Sequence, residues 1–228
     1  MKIEKNMNTQ GRNAVAAISA ARFIASIFGV LSGLGGLLHG VGEVFQGNVV
    51  LESMFIESWT QGPIATHMGG DPAITIIPNL LITGILALII SGTTIVWSVA
   101  YVHRKHGGLI LLGLAIVMLL VGGGVGPPTH GLLAGIGGLG INASYTWWRT
   151  HLHANVQCFM AALWPWVFGV CVINGVFLTI GHVIGVVFFG MTNAAVFLNS
   201  FFLAVALLFI SILLGIAYDI QRIRENRI

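Results

Sequence analysis

The residues in this chain that could do chemistry are eight histidines and a few carboxylates. His39 and Glu43 are four residues apart, and so are His67 and Asp71. On a helix such a spacing puts both side chains on one face, so each pair offers an imidazole and a carboxylate to the same neighbour. Both groups are ordinary ligands of Zn, Cu, Fe or Mn, and two imidazoles from different helices can hold a haem axially. His39, Glu43, His67 and Asp71 are therefore the candidate metal ligands, and His39, His130 and His182 the candidate cofactor ligands. The same residues suit two other roles: binding a proton or small solute, or capping helix ends and bonding loop backbone with no chemistry at all.

The remaining histidines, His103, His106, His151 and His153, stand beside Arg104, Lys105 and Arg149 and read as polar interface residues. The spacing of His151 and His153 suits a strand or loop, and no carboxylate accompanies them. Cys158 and Cys171 would lie about 20 Å apart along one helix, beyond disulfide reach. The chain has no P-loop, no G-x-S-x-G and no H-E-x-x-H, so hydrolase and nucleotide chemistry have no motif to stand on. Enzyme activity is not the favoured reading. A basic patch interleaved with aromatics, the footprint of nucleic-acid binding, is also missing.

What must position these side chains follows from charge. Of 228 residues, 10 are Lys or Arg and 7 are Asp or Glu, which is 7% of the chain against about 25% in ordinary soluble domains. The apolar classes make up 56%, and 31 glycines add to that. A soluble globule cannot cover its surface with so few charges, and disorder needs the opposite composition. The solvent for most of the chain is the lipid bilayer.

Residues 23–42, 72–103, 106–148 and 150–218 carry no Asp, Glu, Lys or Arg. With about 20 residues needed per crossing, these runs hold one, one, two and two helices. The expected fold is all-α, a polytopic transmembrane helical bundle forming one integral membrane domain over 1–228. Its six crossings are placed at about 20–44, 72–101, 108–125, 129–146, 156–178 and 195–218, with an outer loop at 45–71. That count puts all ten Lys and Arg on one side, as the positive-inside rule requires, with both termini cytoplasmic and a short basic tail at 1–13. Four acids, Glu43, Glu52, Glu57 and Asp71, then fall at the outer side. The first apolar run is too long for a signal peptide and lacks a small-residue cleavage site, so it reads as a retained helix. The alternative is five crossings plus a re-entrant segment, because residues 129–146 are short and Gly-rich.

Local signals refine the bundle. Asp71-Pro72 reads as the start of the second helix, with Asp as N-cap and Pro at the first helical position. Gly122–Pro128 must stop the third. Gly29 and Gly33, Gly36 and Gly40, and Gly131 and Gly135 form small-x-x-x-small pairs that let helix backbones approach. His39, Glu43, His67, Asp71, His130 and His182 all fall near the outer leaflet, where ionisable groups mark functional sites. The leading functional expectation is an outer His/carboxylate site for haem or a transition metal, serving electron transfer or metal handling. One alternative is a small-solute or ion permease lined by the Gly-rich break and Pro78-Asn79. Another is a non-catalytic subunit packing against another membrane protein or a second copy of itself.

Overall fold

A computed structural model of the chain describes residues 19–225; the basic stretch 1–13 and Arg227 lie outside the described residues. The first helix, α1, runs Ala20–Gln46, with Ser19 accepting a hydrogen bond from the Arg22 amide at its start. The outer segment holds a short strand β1 (Phe55–Glu57), a short helix α2 (Gly62–Met68) and a strand β2 (Pro72–Ile74). Helix α3 covers Leu80–Val96 and continues as a π turn over Trp97–Tyr101. Then come α4 (Gly107–Leu120) and α5 (Gly126–Gly138), the latter extended by a 3-10 turn over Leu139–Asn142. A short α6 (Thr146–His151) leads into α7 (Ala154–Val176). A π turn over Phe177–Gly181 carries α7 into α8 (His182–Phe189) without a break, and α9 (Ala194–Glu225) closes the chain.

The fold is overwhelmingly helical. Among the described residues four helices are long and apolar enough to cross a membrane: Ala20–Gln46, Leu80–Tyr101, Ala154–Phe189 and Ala194–Arg224. The two segments between them are shorter. At 14 and 13 residues, α4 and α5 rise about 21 and 20 Å, less than the roughly 30 Å of hydrocarbon.

Helix α1 is the axis of the bundle, and its glycines are the reason. A Cβ on Gly33 or Gly36 would collide with Ser91 of α3, and one on Gly40 would lie 3.0 Å from the Gly84 carbonyl. Gly29 meets Ser98 in the same way. Removing side chains along this stripe lets α3 lie antiparallel against α1 at near-backbone contact, as small-residue seams do in membranes. On another side α5 descends along α1: Gly35 packs on Pro127, Gly131 on Ser32, Gly137 on Ile24, and Gly140 near Ala21. Gly108 and Gly138 join α4 to α5 in the same backbone-to-backbone manner. Phe28, Ile24, Leu111 and Leu208 fill the core where α1, α4 and α9 meet. Helices α7 and α9 form an antiparallel pair, tied by the Asn174 side chain donating to the Ser200 carbonyl at 2.8 Å.

The two ends of the bundle differ. At one end the Asp219 carboxylate near the end of α9 accepts from the amides of Ala20 (2.6 Å) and Ala21 (3.2 Å). An anion thus sits on the free N–H groups that open α1. At the other end the segment 47–79 folds over the helix termini. Its β1 and β2 pair antiparallel, with Ile56 opposite Ala73, and Thr75 bridges to Val121.

The Asp71-Pro72 signal does not start a helix. Pro72 lies in β2 opposite Glu57, and Asp71 takes a left-handed conformation with φ 58°. The helix begins at Leu80, where the Asn79 side chain accepts from the Ile82 amide at 3.1 Å. Asp71 is drawn away from capping by a partner on α1. The Gly-rich break does end α4, at Leu120, with Gly122 and Gly124 at φ 88° and 83°.

Candidate functional site

The covered end of the bundle holds a chain of four polar side chains. His39 and Glu43, one turn apart on α1, are 3% and 0% exposed. The outer segment supplies the other two. Ser58, just after β1, is fully buried; its Oγ lies 2.8 Å from His39 Nδ1 and donates to Glu43 Oε1 at 3.1 Å. Asp71 places Oδ2 3.2 Å from His39 Nε2 and keeps 22% of its side chain exposed. A continuous path of hydrogen-bonding atoms therefore leads from a carboxylate touching water to a carboxylate sealed in the bundle.

Each position has a local cause. The backbone of the outer segment is pinned by its strand pair and by the Trp59 amide donating to the Gly70 carbonyl at 2.8 Å, which holds Ser58 and Asp71 side by side over α1. Gly42, next to Glu43, leaves room for the Ser58 carbonyl and the Trp59 ring. From the opposite side the Gly122–Gly124 turn closes the site. A Cβ on Gly124 would fall on the His39 ring, and one on Gly122 would meet Glu43 Oε2 at 2.6 Å. That turn is itself fastened to β2, through the Gly122 amide donating to the Ile74 carbonyl at 2.9 Å. Glu43 Oε2 has no hydrogen-bond partner among the described residues.

Proton counting shows what this arrangement can do. Three contacts need three hydrogens. In one arrangement a doubly protonated His39 donates to Asp71 and to Ser58, and Ser58 donates to an ionised Glu43. In the other a protonated Glu43 donates to Ser58, Ser58 donates to Nδ1, and a neutral His39 keeps its Nε2 proton toward Asp71. The two hold the same number of protons and differ by a concerted shift of one proton between His39 and Glu43. Both satisfy every contact, so the chain can pass a proton without moving a heavy atom.

The other candidate residues fall in different places. His182 is 4% exposed, packs 4.6 Å from the Phe197 ring, and has no partner for Nδ1 among the described residues. It lies within electrostatic reach of Asp71, and α2 packs against α8. His130 Nδ1 donates to the Gly126 carbonyl at 2.9 Å, and its ring stacks on Phe28. His67, half-buried on α2, has no hydrogen bond to a described residue. The expected metal or haem centre finds no such grouping. Among the described residues no three His, Cys, Asp or Glu side chains converge as a metal requires, and both nitrogens of His39 are already engaged. Ser58–His39–Asp71 has the residue types of a hydrolytic triad, but the Ser58 hydroxyl is sealed from solvent.

Sequence reasoning brought out His39, Glu43 and Asp71 and missed Ser58, Gly122 and Gly124 as site residues. Nothing about an isolated serine in a polar loop marks it, whereas the glycine-rich break was visible and only its role as the wall of the site was not. No family model, curated protein or solved structure matches the chain.

Proposed function

We propose that this chain is a six-crossing integral membrane protein that binds and relays a proton at its outer end, as a proton-coupled permease for a small solute or ion does. The hydrogen-bonded path Asp71–His39–Ser58–Glu43 carries this reading. It joins an aqueous carboxylate to a buried one, and buried ionisable groups at membrane depth mark ion and proton pathways.

The six-crossing topology rests on the α4–α5 hairpin. With its turn, the hairpin reaches from Ala21 to Glu43 along α1, about 33 Å of helical rise, which matches the thickness of a hydrocarbon core and supports one crossing by each arm. Its irregular top is covered by the outer segment, as non-helical backbone at membrane depth must be. The contact between Asp219 and Ala20 puts the start of α1 and the end of α9 at one face. Arg22, Arg104, Lys105, Arg149, Arg222 and Arg224 belong to that same face, which is assigned to the cytoplasm.

A second reading has its own observation: every polar contact in the path joins the outer segment to α1, so the cluster is also a clasp. Glu43→Gln separates the two, because the amide oxygen still accepts from Ser58 while the group no longer takes a proton. Infrared pH titration of the reconstituted protein is expected to show a buried carboxylic-acid band that Glu43→Gln removes and His39→Asn shifts. A wild type with no such band at any pH the fold survives refutes the proton reading and leaves the clasp.

A further inference from the structure

The opposite end of the bundle contains a cavity of about 540 Å3, a size typical of small-ligand sites. Its apolar lining comes from three helices, with Ile24 on α1, Ile136 on α5 and Ile212 on α9. Its polar lining comes from the connection into α6, where Ser144 and Thr146 sit with hydroxyl oxygens 3.0 Å apart beside the exposed Trp147. The sequence of depths is clear from packing. Gly137 lies against Ile24, and Gly140 lies nearer the end, against Tyr145, whose hydroxyl donates to the Gly140 carbonyl at 2.9 Å. The cavity is thus greasy toward the bilayer centre and hydroxylated toward the aqueous face.

Charge selects the ligand. Arg149 follows the lining residues Thr146–Trp148 on α6, and the other described Lys and Arg residues belong to the same end. The acids described at that end are Asp219, which is engaged by the amides of Ala20 and Ala21 and faces Arg222, and Glu225 at the end of α9, so basic residues outnumber acids there. We infer that this cavity is a binding site for an anionic phospholipid, one acyl chain lying along the isoleucine wall and the phosphodiester headgroup held by the Ser144 and Thr146 hydroxyls and Arg149. Tryptophan at the headgroup level fits the same ligand, and basic residues near an anionic leaflet favour it. This inference rests on the membrane reading and not on the proton path.

Native mass spectrometry of the detergent-purified full chain, equilibrated with phosphatidylglycerol or phosphatidylcholine of matched acyl chains, tests it. The wild type is expected to retain phosphatidylglycerol preferentially. Arg149→Gln is expected to cut that preference about fivefold, the loss of one basic contact. Ala143→Phe, which fills the cavity, is expected to abolish retention of both lipids. Equal retention of the two lipids by the wild type overturns the proposal, and so does an unchanged ratio in Arg149→Gln. A folded Ala143→Phe protein that still holds the lipid also overturns it; if that variant does not fold, the Arg149→Gln ratio decides.

Discussion

Replacing Ser58 by alanine removes the one atom that serves both His39 and Glu43. The hydroxyl makes hydrogen bonds of 2.8 and 3.1 Å in a fully buried position. Each lost bond is worth about 0.5–1.5 kcal/mol net, and a buried group left without a partner costs about 1–3 kcal/mol. Glu43 suffers most, because Oε2 is already without a partner and the substitution strips Oε1 as well. The expected loss is about 2–4 kcal/mol. Reversible unfolding in mixed micelles, followed by tryptophan fluorescence, measures it. A double-mutant cycle with Glu43→Leu sharpens the test. With the carboxylate gone, Ser58→Ala orphans only His39 Nδ1, so its cost should fall by about 1–2 kcal/mol, within the coupling expected for contacting residues. If Ser58→Ala lies within about 0.5 kcal/mol of wild type, as neutral surface changes do, or if the cycle is additive, the hydrogen-bonded path does not exist as described.

Four other outcomes follow from the structure. Gly124→Ala puts a methyl group on the His39 ring at a φ of 83° and should cost at least about 1–3 kcal/mol by the same unfolding assay. Gly113→Ala, with nothing within 4 Å of its added carbon, should be neutral or stabilise α4 by about 0.5–1 kcal/mol. Asp219→Ala uncovers the start of α1 and should destabilise by about 1–2 kcal/mol, with Asp219→Asn recovering part of it. Cysteines introduced at Ser144 and Thr150 should label with impermeant reagent only from the cytoplasmic side; labelling from outside would return the re-entrant arrangement for residues 129–146.

That the chain would fold into long apolar helices was legible in the sequence, because this depends on where charges fall and charge positions need no structure; four of the helices are long and apolar enough to cross a membrane. His39 and Glu43 were legible as a pair because helical periodicity fixes their shared face. Azimuth was not legible: nothing in one dimension says that Ser58 and Asp71 fold back onto that face while His67 and His130 do not. Asp71-Pro72 misled because a local capping signal competed with a tertiary partner. His39 Nε2 and the strand pairing of Pro72 outweigh a cap, and Asn79 takes that role. The glycines of α1 could be read as a packing stripe, and they are one, but the stripe does not reveal that a separate glycine turn at 122–124 walls the site.

The capture of the Ala20 and Ala21 amides by Asp219 joins residues 199 and 198 positions apart. At about 5–20 residues per second of synthesis, the carboxylate that completes α1 is made roughly 10–40 s after the helix itself. Until then the first helix has open amides at its start, and only the arrival of the last helix closes them. The bond works as a seal on completed assembly: a chain truncated before Asp219 could form most of its helices and still leave the start of its central one unfinished.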